Sequence, residues 1–157
     1  MSDIQITGLA ELNALLQTLP AKVEAKILRQ GLRAGQKEIL EAAKARVPVA
    51  SGALRASLKI KTSSKRGVVS ARLVAGSKTA YYAHMVEFGT AQHFIKPKRA
   101  RSLFFAGLAR KVVDHPGAAA HPFMRPAFDE AQGKALESMR AYIARRLPLE
   151  LARPGQA

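Results

Sequence analysis

Cysteine is absent from all 157 residues, which removes disulfides, thiolate nucleophiles and thiolate metal sites from consideration and agrees with a reducing cytosol. Residues 1 to 20 contain no lysine or arginine, and no apolar run reaches the roughly 18 residues that a membrane span needs. The expectation is therefore neither a secretory signal nor a transmembrane helix, and a soluble protein made and used in the cytoplasm. Acid is missing from residues 48 to 80, a stretch that holds Arg55, Lys59, Lys61, Lys65, Arg66, Arg72 and Lys78. There is no Gly-x-Ser-x-Gly elbow around Ser51 or Ser70, no Gly-rich phosphate loop, no internal repeat and no low-complexity linker. What remains has the size of one ordinary domain, long enough to bury about two-thirds of its unfolded surface without outside staples.

The formal net charge is +15, and the basic excess peaks in the middle third. A segment with cations and no acid attracts phosphates or an acidic protein face. A solvated strand face and loop accounts for it equally well.

Near the N-terminus DIQITG has the look of a short strand, and Leu9, Leu12, Leu15, Leu16 and Leu19 follow the three-and-four spacing of an amphipathic helix up to Pro20. The stripe then resumes with Ile27 or Leu28, Leu32, Gly35, Ile39, Ala43 and Val47, predicting a main helix of about 25 residues that Val47-Pro48 stops. Gly31 and Gly35 cost helix propensity and so mark a close helix crossing. Past Pro48, ASLKIKTSS and VVSARLVAGS predict an antiparallel hairpin turning at Lys65, Arg66 and Gly67. Leu58 and Ile60 take one face, Lys59 and Lys61 the other. SLFFAG and ARKVVDHP suggest a second hairpin around Gly107 and Leu108, and residues 91 to 101 read as an exposed basic loop. A closing helix has Pro126 in its first turn and a stripe of Phe128, Ala131, Ala135, Met139, Tyr142 or Ile143, and Leu147, with Pro148 ending it. The expected fold is a single α+β domain over residues 1 to 147, an antiparallel sheet of about four strands packed against two long helices, with a loose tail at 148 to 157.

The stretch YYAHMVEFGTAQHF, residues 81 to 94, crowds aromatics and histidines around Glu87. A metal site at His84, Glu87 and His93 is disfavoured, because histidines sharing one ion on a helix stand four apart and these stand nine apart with a Gly-Thr between them. His115 and His121 flank a Pro-Gly-Ala loop that fixes no coordination geometry. No metal, no cofactor and no catalytic residue is expected. As a strand, Tyr82, His84, Val86 and Phe88 share a face. As a short helix, Tyr81, Met85 and Phe88 align and Gly89 supplies the left-handed C-terminal residue, which makes the helix the better fit. In either form the aromatics are expected in the core.

SGALRAS at 51 to 57, YYAHMVEFGT at 81 to 90 and HPGAAAHPFMRPAFDEA at 115 to 131, in this order, resemble the tail-component, or tail-completion, family of long-tailed bacteriophages and prophages, including neck proteins of lambda-like morphogenesis modules. The ordered set is more specific than any one motif. The resemblance implies a structural virion protein of the head-tail junction, assembled in the host bacterial cytoplasm. It would form a ring, expected to be a hexamer, stacked on the tail terminator, tail tube or head-completion proteins, with passing DNA as a non-specific contact and no membrane partner. A closed ring needs two different, complementary patches per subunit, and basic strands facing an acid-bearing neighbour would meet that need. The motif residues it singles out are Tyr82, Glu87, Phe88, Gly89 and Thr90, with Pro122, Phe123, Arg125 and Pro126 forming a rigid elbow. Arg125 is expected either to pair with Glu87 through a bidentate guanidinium contact or to face water at the helix start. Lys59, Lys61, Lys65 and Arg66 stand as the polyanion or partner contact. The rival is a basic module binding nucleic acid without sequence preference, although no recognition helix or aromatic stacking ladder accompanies the cations. An enzyme comes third, a ribonuclease of scattered His and Arg being its most compatible form.

Overall fold

The computed structural model describes residues 8–17, 21–97, 102–105 and 107–152. The strand expected over DIQITG, the break at Pro20, the basic end of the 91–101 loop and the last residues of the tail lie outside them. The chain mixes helix and strand in the order α1 (Leu9–Gln17), α2 (Ala21–Arg46), α3 (Ala53–Ser57), β1 (Lys59–Lys65), β2 (Val68–Val74), α4 (Ala83–Phe88), β3 (His93–Ile95), β4 (Leu103–Phe105), β5 (Leu108–Arg110), β6 (Val113–His115) and α5 (Met124–Leu151).

Small residues let the two long helices approach closely. Helix α2 buries Ile27, Ile39 and Ala43 along the predicted stripe, and the stripe runs past Gly31 and Gly35. A Cβ at Gly35 would lie 2.7 Å from the Ala135 carbonyl oxygen, and one at Gly31 would lie 3.0 Å from Ile143 Cγ1. The close crossing expected from these glycines is thus present, with α5 running antiparallel to α2. Polar contacts flank it: the Ser138 hydroxyl donates to Glu38 at 3.1 Å, and Arg46 Nε donates to Glu130 at 2.9 Å.

The stripe of α5 differs from expectation at its start. Phe128 is exposed, and Ala127, Ala131 and Ala135 line the buried row at four-residue spacing, with Phe123 fully buried just ahead of the helix. A bulky ring in that row would push apart the close approach that the alanines permit. Nor does Pro148 end the helix, which runs on to Leu151. Proline deprives one carbonyl, that of Ala144, of its donor, at a point where both residues are exposed and the loss costs least.

The first hairpin forms as predicted. Lys59 pairs with Val74 and Lys65 with Val68, closed by Arg66 (φ 52°) and Gly67 (φ 76°), the two positive φ values of a type I′ turn. Ile60, opposite Leu73, and Thr62, opposite Ala71, share the more sheltered face that packs toward α2. The expected sheet of about four strands is not there: among the described residues the strands make three separate two-stranded ladders, β1–β2, β3–β6 and β4–β5. SLFF does turn back, but onto Leu108–Arg110 alone. The following VDH pairs with His93–Ile95, which sequence reading had placed in a loop. Three-residue strands bring too little apolar area to be layered on a sheet, and the outer face of β1–β2 is cationic and cannot be covered by them.

The principal buried cluster gathers Val47, Leu54, Leu58, Ala80, Ala83 and Phe123 with neighbouring alanines. A second joins Leu16 and Ile27 to Ile143 and Leu147. Among the described residues no helix is long and apolar enough to cross a membrane.

Candidate functional site

Within YYAHMVEFGT, Ala83–Phe88 form the short helix α4 after a turn at Tyr81 and Tyr82, and the two sides of this segment are used differently. Tyr82 and Val86 pack against the principal cluster, and Ala83 and Glu87 are buried. Tyr81, Met85 and Phe88 align as the helical period requires, but toward solvent: Tyr81 is 70% and Phe88 74% exposed. The expectation that these aromatics enter the core holds for Tyr82 and fails for Tyr81 and Phe88. A single helical turn has one inward face, and Ala83 and Glu87, four apart, occupy it.

After α4 the chain turns at Gly89, where φ is 72° and ψ is −176°. The positive φ was expected, although ψ is extended and not left-handed helical. The residue must lack a side chain for a second reason. A Cβ there would stand 2.7 Å from the Ala118 carbonyl oxygen and 2.9 Å from the Ala120 nitrogen. Thr90 then bridges to Ala118, its N–H donating at 2.9 Å and its carbonyl accepting at 3.1 Å, while the His121 N–H donates to the Val86 carbonyl at 2.8 Å. The second and third sequence signatures are zipped together along their backbones. Gly117, missed in the sequence, is required here too, because a Cβ on it would overlap the Thr90 carbonyl oxygen; the Pro-Gly dipeptide was its only signal.

Glu87 completes the junction. Its carboxylate accepts the backbone N–H of Phe123 at 2.8 Å, of Met124 at 2.9 Å and of Arg125 at 3.2 Å. The first amides of a helix have no acceptor within it, and no side chain at Phe123 caps α5. Glu87 supplies that acceptor from a different element, Pro126 brings no N–H to satisfy, and Ala127 starts the internal bonding by donating to the Phe123 carbonyl. Every amide of the helix start is thereby accounted for. Burial pushes the Glu87 carboxyl upward, but the amides of Met124, Phe123 and Arg125 and the Arg125 charge outweigh it and hold the group below the ordinary carboxylate range. The expected bidentate guanidinium pair is corrected accordingly: Glu87 does meet Arg125, through its main chain, and no Glu87–Arg125 ion pair occurs. Phe123 anchors the elbow with no exposed surface, and Pro122 is exposed beside it.

The polyanion candidates sit apart from this junction. Lys59, Lys61 and Lys65 project from one face of β1, with Arg66 in the turn, all exposed. Arg72, a member of the acid-free run that the sequence did not single out, lies directly opposite Lys61. Ion pairs among the described residues join Lys44 to Glu41, Arg46 to Glu130 and Arg146 to Glu150, and none involves the hairpin. The histidines are spent locally: the His84 ring contacts the Tyr81 carbonyl at 3.1 Å, and His93 stacks on His115 with centroids 5.0 Å apart. Among the described residues no three His, Asp or Glu side chains converge on a point.

Exposed large apolar side chains occur in several places, among them Tyr81, Met85 and Phe88 on the outer side of α4, Phe94 and Ile95 on β3, and Phe104 and Leu108 on β4 and β5. Between α2 and α5 runs an apolar groove of about 220 Å³ lined by Leu32, Ile39, Phe128, Leu136 and Met139 with Gln36 and Gln132, in which Phe128 is exposed and Ile39 buried.

Comparison with known proteins gives one family. The model described as "Bacteriophage HK97-gp10, putative tail-component" matches residues 10–89, from α1 through Gly89. No curated protein and no solved structure matches.

Proposed function

Because this chain belongs to the HK97-gp10-like family of bacteriophage tail components, we propose that it is a structural virion protein, not an enzyme, that closes into a ring at the head-tail junction and joins the completed tail to the DNA-filled head. The observation that carries this reading is the presence of two unlike apolar surfaces on one subunit, the outer face of α4 and the α2–α5 groove. Contiguous exposed apolar surface marks a place where another protein sits, and two different patches are what a head-to-tail contact needs in order to close into a ring. The α4 face is held rigidly, since Glu87, Gly89 and Thr90 fix the helix to the start of α5. A rigid mount lowers the ordering cost of association. Sixfold closure, with the tail terminator, tail tube or head-completion proteins as neighbours, follows from the family resemblance.

The test is imaging by electron microscopy of the purified protein, alone and mixed with purified tails, for the wild type and for Phe88→Glu. Rings, or density capping the tail ends, are expected for the wild type. Phe88→Glu should abolish them while leaving Tm within about 2 °C, because a side chain already in water contributes little to the subunit. A protein that stays monomeric and leaves tails bare, or rings indifferent to Phe88→Glu, overturns the reading.

A further inference from the structure

The outer face of the β1–β2 hairpin carries an electrostatic cost that the subunit does not relieve. Register places Lys59, Lys61, Ser63 and Lys65 on the same side as Val74, Arg72, Ser70 and Val68. Lys61 and Arg72 are direct cross-strand partners, with Cβ atoms roughly 5 Å apart, and like charges so placed destabilise a sheet. No carboxylate occurs within residues 48 to 80, and among the described residues no ion pair reaches this face.

A second copy of the chain is a poor source of the missing anion. Six of the ten described carboxylates are engaged within the subunit, Glu41 with Lys44, Glu130 with Arg46, Glu150 with Arg146, Asp114 with Gln92, Glu38 with Ser138 and Glu87 with the α5 amides, and the other four, Glu11, Glu24, Asp129 and Glu137, are scattered over α1, α2 and α5. The composition of the face then separates nucleic acid from an acidic protein. Protein interfaces concentrate aromatics and Met and are depleted in Lys, whereas this face has Lys, Arg and two mutually bonded hydroxyls, Ser63 and Ser70 at 2.8 Å, with valines only at its two ends. Lys, Arg and Ser are the side chains that contact phosphate oxygens.

We propose that the outer face of the β1–β2 hairpin binds the sugar-phosphate backbone of duplex DNA, without sequence preference, through Lys59, Lys61, Lys65 and Arg72. The proposal deepens the junction reading, on which it rests for the presence of DNA, and assigns the contact to the strand face instead of the loop tip. The Lys61–Arg72 repulsion is relieved when phosphate lies across the pair.

Fluorescence anisotropy on the purified protein with two unrelated duplexes, each of about two helical turns, tests it. Four phosphate contacts give a slope of about −3.6 in log K against log salt, so affinity should fall roughly a hundredfold between about 50 and about 200 mM salt, equally for both sequences. Lys61→Gln/Arg72→Gln should weaken binding at low salt and cut that fall to roughly tenfold. Its Tm should be equal to or above that of the wild type, because a repulsive pair has gone. Lys59→Gln/Lys65→Gln gives the same DNA readout should the first pair fail to fold. Lys134→Gln/Arg140→Gln, which removes the same charge from exposed α5 positions, should leave affinity within about twofold. Absence of binding at low salt, an equal loss in the α5 control, or capture of poly-glutamate with no DNA binding overturns the proposal, the last pointing to an acidic protein. Ring imaging of the neutralised variants is scored separately, and rings that persist while DNA binding is lost divide this inference from the ring reading.

Discussion

A carboxylate that receives three main-chain N–H groups at the head of a helix is held by charge-assisted hydrogen bonds and by the positive end of the helix dipole together. Glu87→Gln keeps the shape and removes the charge, so it should cost about 2 kcal/mol at neutral pH, a fall in Tm of roughly 4–8 °C for a chain of this size. The sign of the pH dependence follows from the depressed carboxyl. The stabilisation is fully present above the unfolded value of about 4.3 and is lost as pH falls through the lower folded value. Thermal melts across that window should show the wild type and Glu87→Gln converging on acidification, and a gap that widens would overturn the assignment. Charge reversal gives a second check. Glu87→Lys should destabilise the protein, and Arg125→Glu should not rescue it, because the bond to Arg125 is made by its amide; rescue would restore the guanidinium pair. The meeting of Glu87 with the PFMRP elbow was legible in the sequence, through two crowded signatures with an acid in one and prolines in the other. Its bonding was not, because the unpaired amides of a helix start have no letter of their own and Arg125 offered a more visible partner.

At the scale of elements, the helices were easier to read than the strands, for reasons seen at particular residues. Helix α2 declared itself through Ile27, Ile39 and Ala43, and Gly31 and Gly35 announced the crossing; what they could not announce was that α5 would answer with a row of alanines and turn Phe128 outward. The hairpin β1–β2 had seven-residue strands and a Gly turn. The later strands have three residues each, too few for alternation to distinguish His93–Ile95 from loop or to show that Val113–His115 leaves its neighbours to pair with it. The glycines of the two long helices provide a contrast to measure. Gly35→Ala places a methyl 2.7 Å from a backbone oxygen of α5 and should lower stability by more than about 1 kcal/mol. Gly133→Ala meets nothing within 4 Å and should raise it by up to about 1 kcal/mol. Denaturant midpoints for the two variants shifting in the same direction would contradict the packing described.

At the scale of the whole molecule, a net charge of +15 on 157 residues sets cation against cation across the surface. Raising salt from about 10 to about 150 mM shortens the Debye length from about 30 to about 8 Å, so Tm should rise by a few degrees in calorimetry as self-repulsion is screened; a fall would mean that ion pairs dominate instead. Composition and the ordered signatures made this charge and the family legible, whereas the two apolar surfaces became visible only once α4 and α5 had orientations. The bond from Glu87 to the head of α5 spans 36 residues of chain and crosses the end of the family match at Gly89. A fragment stopping there would keep the socket formed by Leu54, Leu58, Ala80 and Ala83 but lose the Phe123 that fills it. Such a fragment should therefore fold less stably than the whole chain, because its last helix has its buried partner about three dozen residues further along.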